Sequence, residues 1–144
     1  MAVRIAPLRL QDYEAMIRLW RESGLTSRMN GRDSRRAFAR QLRLNKGSYL
    51  GAFDGERLVG TVLGTHDTRK GWINRLAVDP AHQRRGVATR LLRACEKALV
   101  RKGLKVISAF VVDGNDPSIS LFRRSGYERV PDVVHVRKKF EPDA

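Results

Sequence analysis

The chain has 144 residues, 42% of them hydrophobic, and a formal net charge of +14, enough to bury one good core and too little for two ordinary domains, so one domain over residues 1–144 is expected. Cys95 is the only cysteine, which excludes an internal disulfide, a thiolate zinc cluster and a dithiol redox pair. No stretch approaches the ~18 apolar residues of a membrane span, and Met1 to Ile5 runs on to Pro7 instead of a signal-type apolar stretch, so a soluble, cytoplasmic protein with no membrane partner is expected.

Val3 to Leu8 reads as a short strand. Gln11-Asp12-Tyr13-Glu14 then opens a helix with acids in its first turn, and Tyr13, Met16, Ile17 and Trp20 recur on one face before Gly24 ends it. After a loop from Ser23 to Gly31, an amphipathic segment from about Ser34 to Leu44 turns Ala37, Phe38 and Leu42 inward. From Ser48 the period becomes that of a sheet: Tyr49 to Phe53, a turn at Asp54 to Arg57, and Leu58 to Gly64 form a hairpin. A turn at Asp67 to Gly71 leads to a strand from Trp72 to Val78, whose last three apolar residues break the in-out alternation as a β-bulge or a doubly covered strand end would. Asp79-Pro80 stops it.

A long helix follows from about Gly86 to Lys102. Val87, Leu91, Ala94, Cys95, Ala98 and Leu99 face inward, Arg90, Arg93, Lys97 and Arg101 face outward, and Gly103 is the C′ residue. Cys95 is therefore a packed small hydrophobe and not a reactive thiol. Val106 to Val112 is a nearly continuous apolar run, expected as a central strand covered on both faces. Asn115-Asp116-Pro117 supplies a helix N-cap and an N1 proline, a short helix runs from Ser118 to Arg124 and ends at Gly126, and Tyr127 to Val130 with Val133 to Phe140 reads as a closing hairpin. The fold class is mixed α/β in the order β-α-α-β-β-β-α-β-α-β-β.

The positive charge is spread evenly. Residues 1–72 hold 14 basic against 7 acidic side chains, and residues 73–144 hold 15 against 8. Such a distribution fits a solvated basic surface better than a dedicated polyanion face. With no helix-turn-helix, zinc or RNA-recognition signature, a nucleic-acid-binding domain is the third reading.

Val78 to Leu92 is the informative segment: a strand end, a basic turn and a helix start. Gly86 and Ala88 let a ligand approach the backbone, and the N–H groups of the helix's first turn attract an anion. Arg84 and Arg85 add positive charge, so a pyrophosphate held mainly by backbone donors is one reading. A basic turn that merely precedes a helix is the other.

Gln83-Arg84-Arg85-Gly86-Val87-Ala88 resembles the Gln/Arg-x-x-Gly-x-Gly/Ala signature of the GNAT superfamily of N-acetyltransferases. Asn115 through Glu128 resembles that family's Asn-led helix ending in aromatic-x-x-x-Gly-aromatic, and the order of elements agrees with the family's bulged mixed sheet with helices on both faces. A finer likeness, carried by Leu19-Trp20, Gly24-Leu25, Asn30 and Gly126-Tyr127-Glu128, is to the small bacterial YpeA-type members, though the loop aromatic and prolines of that group are absent from Met29 to Arg32. The resemblance implies acetyl-CoA as cosubstrate, no metal, and acetyl transfer to a primary amine of a small molecule or peptide by direct attack in a ternary complex. It implies that the pantetheine arm lies on the backbone of Leu76, Ala77 and Val78. It assigns the pyrophosphate to Gln83, Arg84, Arg85, Gly86, Val87, Ala88 and Thr89, and sets Asn115 and Phe122 beside the arm. Asn115 is equally readable as a helix N-cap. The Leu76 N–H would polarise the thioester carbonyl.

The chemistry needs a neutral amine, and an amine of pKa about 10.4 is neutral in only roughly one molecule in 2,500 at pH 7. The strand from Trp72 to Val78 carries no carboxylate, although some family members place a glutamate there. Glu22 and Asp33, bracketing the loop between the first two helices, and His66 or Asp67 at the hairpin end are the candidate bases, each also readable as solvated surface. Phe122 stands where the family usually has a tyrosine that protonates the departing CoA sulfur. Phenylalanine donates no proton, so the thiolate leaves at its own pKa near 8.5, or Tyr127 reaches inward against its core role. These gaps keep a non-catalytic acyl-CoA binding or sensor domain as the second reading. The oligomeric state is open, a homodimer among the arrangements allowed.

Overall fold

A computed structural model describes residues 2–144. Its one sheet has five strands in sequence order: β1 (Val3–Pro7), β2 (Tyr49–Asp54), β3 (Arg57–His66), β4 (Gly71–Val78) and β5 (Ile107–Ala109). The first four pair antiparallel and β5 joins β4 in parallel. The helices are α1 (Tyr13–Glu22), α2 (Arg35–Leu44), α3 (Val87–Arg101) and α4 (Asp116–Arg124). The expected mixed α/β class is the one observed.

Hydrophobic periodicity decides which helix covers which face. On one face Leu91, Leu92, Cys95 and Leu99 of α3 meet Leu50, Val59, Val62 and Ile73. On the other, Met16 and Trp20 of α1 and Phe38 of α2 meet Tyr49, Phe53 and Leu63. Covered on both sides, β3 is buried from Leu58 to Gly64. Trp20 is only 1% exposed, and its Nε1–H donates to Thr61 Oγ1 at 2.9 Å while that hydroxyl donates to the Arg75 carbonyl at 2.9 Å. This relay fastens α1 to the middle of β4.

The middle of β4 is bulged. Thr61 pairs with Ala77 and Leu63 with Asn74, so Arg75 and Leu76 together oppose Val62, and Arg75 takes a left-handed φ of +51°. The expected break in alternation is therefore real and begins one residue before Leu76.

Close packing of α3 on the sheet depends on Gly64, where a Cβ would lie 2.5 Å from Cys95 Sγ and 3.0 Å from the Ser48 carbonyl oxygen. The Cys95 thiol is fully buried and, by that burial first, its pKa is pushed up to about 12, which makes it the packing residue expected from sequence. Gly64→Ala is predicted to cost about 1–3 kcal/mol by overpacking, and adding Cys95→Ala to restore part of it. Thermal melts of the two single variants and the double variant check this; strictly additive losses would contradict the contact.

Two expectations fail towards the C-terminus. The run from Val106 to Val112 is not a doubly covered central strand: only Ile107–Ala109 pairs, at the sheet edge, and Val106, Phe110 and Val112 are exposed. The closing hairpin of Tyr127 to Val130 and Val133 to Phe140 is not formed, because β5 is too short to template another strand and the alternating valines have no ladder to join. Pro117 also falls at the second helical position of α4, whose first residue is Asp116.

Candidate active site

The ladder between β4 and β5 ends at Ile73 and Ala109, while β4 continues to Val78. Beyond that point the chains separate and leave a groove of about 770 Å³, with Asn74, Arg75 and Leu76 on one wall, Phe110 and Val112 on the other, and Asn115 and Phe122 of α4 beside them. The groove thus opens beside the bulge.

At the far end of β4 the chain makes a tight polar turn. Asp79 caps a 3-10 turn, Pro80–His82, by accepting from the Ala81 N–H at 3.2 Å, and Arg57 pairs with it at 3.1 Å. Buried His82 lies between Asp79 (Nδ1, 3.2 Å) and Asp54 (Nε2, 3.1 Å), which ties this turn to the β2–β3 turn. Gln83 folds back, its Nε2–H donating to the Val78 carbonyl at 3.1 Å.

Arg84 and Gly86 are then both left-handed, with φ of +63° and +78°. Two such residues separated by one curve the backbone so that its N–H groups converge on one side. Gly86 is the N-cap of α3 and no side chain caps it, so the first N–H groups of the helix have no intrahelical acceptor and carry the positive end of the macrodipole. A Cβ at Gly86 would meet nothing within 4 Å. The start of α3 thus has helix N–H donors beside open space, which suits an anion.

Sequence-expected residues fall into two groups. Leu76, Asn115 and Phe122 line the groove, while Gln83, Arg84, Arg85 and Gly86 form the exposed turn beyond it. Ala77, Val78 and Val87 are buried and offer the site only backbone atoms; Ala88 and Thr89 are half-buried in the first turn of α3. Asn115 Oδ1 accepts from the Ser118 N–H at 3.4 Å, so it caps α4, as the N-cap reading has it, and it stands in the groove lining.

The structure does not bring Tyr127 or Glu22 to the groove. Gly126, at φ +93°, reverses the chain after α4 so that the Tyr127 N–H returns to the Phe122 carbonyl at 2.9 Å. The Tyr127 ring meets Phe122 edge-on at 5.0 Å and its hydroxyl donates to Glu96 at 2.7 Å. Burial, and then this bond, push that hydroxyl well above the usual tyrosine range. Glu22 is exposed at the end of α1. Nor do the other candidate bases line the groove. Asp67 accepts from the Lys70 and Arg69 N–H groups, which lower its pKa, and His66 Nδ1 accepts from the Thr68 N–H, so both build the β3–β4 turn.

Asp33 is buried and structural. It accepts from the Arg28 N–H at 2.7 Å and pairs with Arg75 at 3.4 Å, while Arg75 Nη2 also donates to the Thr26 carbonyl at 2.7 Å and its guanidinium lies 4.7 Å from the Trp20 ring centre. Arg75 therefore ties the α1–α2 loop to the bulge. Sequence reading passed over this residue, and its signal, a long cation in the middle of an otherwise apolar strand, is visible only in hindsight.

The model of the acetyltransferase (GNAT) family matches residues 13–127, from the first residue of α1 to Tyr127. The chain belongs to the GNAT acetyltransferase family. Its GNAT fold is shared with the PaiA N-acetyltransferase of Thermoplasma acidophilum, solved in complex with coenzyme A, at TM-score 0.79 and 22% identity, covering 89% of this chain and 91% of that one. Ard1 of Thermoplasma volcanium matches at TM-score 0.75 and 19% identity, covering 88% and 82%. The aminoglycoside 6′-N-acetyltransferase of Acinetobacter haemolyticus matches at 0.72 and 22%, covering 96% and 99%. Membership of an acetyltransferase family is in keeping with the acetyl-CoA cosubstrate expected from the sequence. Among the described residues, no helix is long and apolar enough to cross a membrane.

Proposed function

We propose that the chain forms one transferase domain over residues 1–144 that moves the acetyl group of acetyl-CoA to a primary amine, by direct attack in a ternary complex. The observation that carries this is that β4, whose Leu76 lines the groove, ends at Val78 just before the turn in which Arg84 and Gly86 are left-handed and from which α3 starts without a side-chain cap. The diphosphate sits on that turn and the pantetheine arm runs along β4 towards Leu76. Acetyl-CoA supplies an activated acyl group and a thiol of modest pKa. The Leu76 N–H, beside the bulge, polarises the carbonyl, and Phe122 gives the sulfur an apolar neighbour and no proton. Two neighbours of similar fold carry N-acetyltransferase in their names, which supports an amine as acceptor.

Consumption of acetyl-CoA with a panel of primary amines tests the proposal. Binding of CoA with no turnover of any amine would favour the acyl-CoA binding reading, which the lack of an acid at Phe122 motivates. For an active enzyme the pH profile is expected to show no tyrosine-like basic limb. Phe122→Tyr is expected to raise kcat by about two- to tenfold, towards the lower end of general-acid effects because the thiol already leaves readily. An unchanged rate would mean that this position does not face the departing sulfur.

A further inference from the structure

Several cations stand in the lining of the groove. The segment after Tyr127 joins that lining: the His135 ring stacks on Phe110 with centroids 4.5 Å apart, and Phe110 on Trp72 at 5.2 Å. This anchoring places Arg137, Lys138 and Lys139 in the same lining as Arg32 of the α1–α2 loop. The end of the segment lies against that loop, since a Cβ on Gly31 would be 2.5 Å from the Asp143 carbonyl oxygen. Arg75 adds little net charge because Asp33 stands 3.4 Å from it, and Glu141 is the one carboxylate side chain of the lining. Partial desolvation, and then repulsion from Arg28, Arg137 and Arg32, hold the Lys139 amine below its ordinary value, with Asp143 opposing. Like charges crowded in this way define a place that an anion would relieve.

We propose that the acceptor is a small primary amine bearing its own carboxylate or phosphate, which Arg32, Arg137 and Lys139 hold while the amine faces Leu76. The inference rests on the acetyltransferase reading above and names its substrate class. A volume of about 770 Å³, part of it taken by the acetyl donor, is that of a small-molecule site.

Initial rates with O-phosphoethanolamine and with a Glu-Glu-Gly tripeptide, against ethanolamine and spermidine, test this and separate phosphate-bearing from carboxylate-bearing acceptors. At least one anionic amine is expected to exceed ethanolamine in kcat/KM by about ten- to a hundredfold, and to lose that advantage as salt rises. The pair Arg137→Gln with Lys139→Gln should abolish most of the preference, and Arg137→Lys with Lys139→Arg should retain it. If the glutamine pair misfolds, Arg32→Gln gives the same reading from the opposite wall. Preference for spermidine, a preference that survives the glutamine variants, or turnover of neither anionic amine overturns the inference. Calorimetry with CoA on the same samples keeps the two readings apart: no CoA affinity is a failure of the acetyltransferase assignment, whereas CoA affinity with spermidine turnover is a failure of the charge inference alone.

Discussion

Gly86→Val is expected to leave the chain folded and to weaken CoA binding by about ten- to a hundredfold, which is roughly 1.4–2.8 kcal/mol. Gly86 has φ +78°, where a β-branched residue is strained by about 1–2 kcal/mol. A Cβ at this position would meet nothing within 4 Å, so the protein leaves room for the first added carbon. The loss falls on the ligand, because the space beside Gly86 is the space a diphosphate would enter, and because a turn relaxing away from the left-handed conformation scatters its converging N–H groups. Gly86→Asn, which tolerates left-handed φ, should cost distinctly less. Calorimetry with CoA measures both variants, and an unchanged Kd for Gly86→Val would remove the diphosphate from this turn.

Arg75→Met is expected to have the largest effect on stability of any change at the site, about 2–4 kcal/mol. Its side chain is 19% exposed and that of Asp33 only 9%, so truncation leaves a buried carboxylate with the Arg28 N–H as its remaining partner. Breaking a buried pair in this way costs about 3–5 kcal/mol, less where water reaches one partner. The Thr26 carbonyl loses its donor and Trp20 loses the cation over its ring as well. In function, the α1–α2 loop loses its tether to β4, so KM for the amine should rise while CoA affinity changes little. Adding Asp33→Asn should recover part of the stability, because the uncompensated charge goes with it. Equilibrium denaturation in urea checks the prediction. A cost no larger than that of Arg93→Met, at an exposed position of α3, would contradict it.

The parts of this fold that were legible in the sequence are those whose signals are local. The apolar faces of α1 and α3 follow helical period, Gly24 and Gly126 stand where helices end, and the three apolar residues closing β4 marked a break in alternation that a bulge or a doubly covered strand end would give. The turn before α3 was legible because a glycine and an alanine beside two arginines at a helix start mark a close approach to the backbone. What escaped depends on distant partners. Val133 to Phe140 alternates like a strand, but a strand requires a neighbour, and β5 stops at Ala109. Asp33 looks like a surface acid in a basic loop until tertiary packing sets Arg75 against it, and Tyr127 could be resolved between core and groove only once Glu96 was seen to take its hydroxyl proton in a hydrogen bond. Nothing local shows that His82 lies between Asp54 and Asp79, or that the segment carrying Arg137 to Lys139 returns to the groove.

Amide hydrogen exchange measured with and without CoA reads out the backbone donors that would hold the diphosphate and the thioester. Protection is expected at Arg84 to Thr89 and at Asn74 to Leu76, with the rest of the sheet unchanged. Saturation with CoA that leaves those amides unprotected, and instead slows exchange along the basic stretch from Arg129 to Lys139, would contradict that placement.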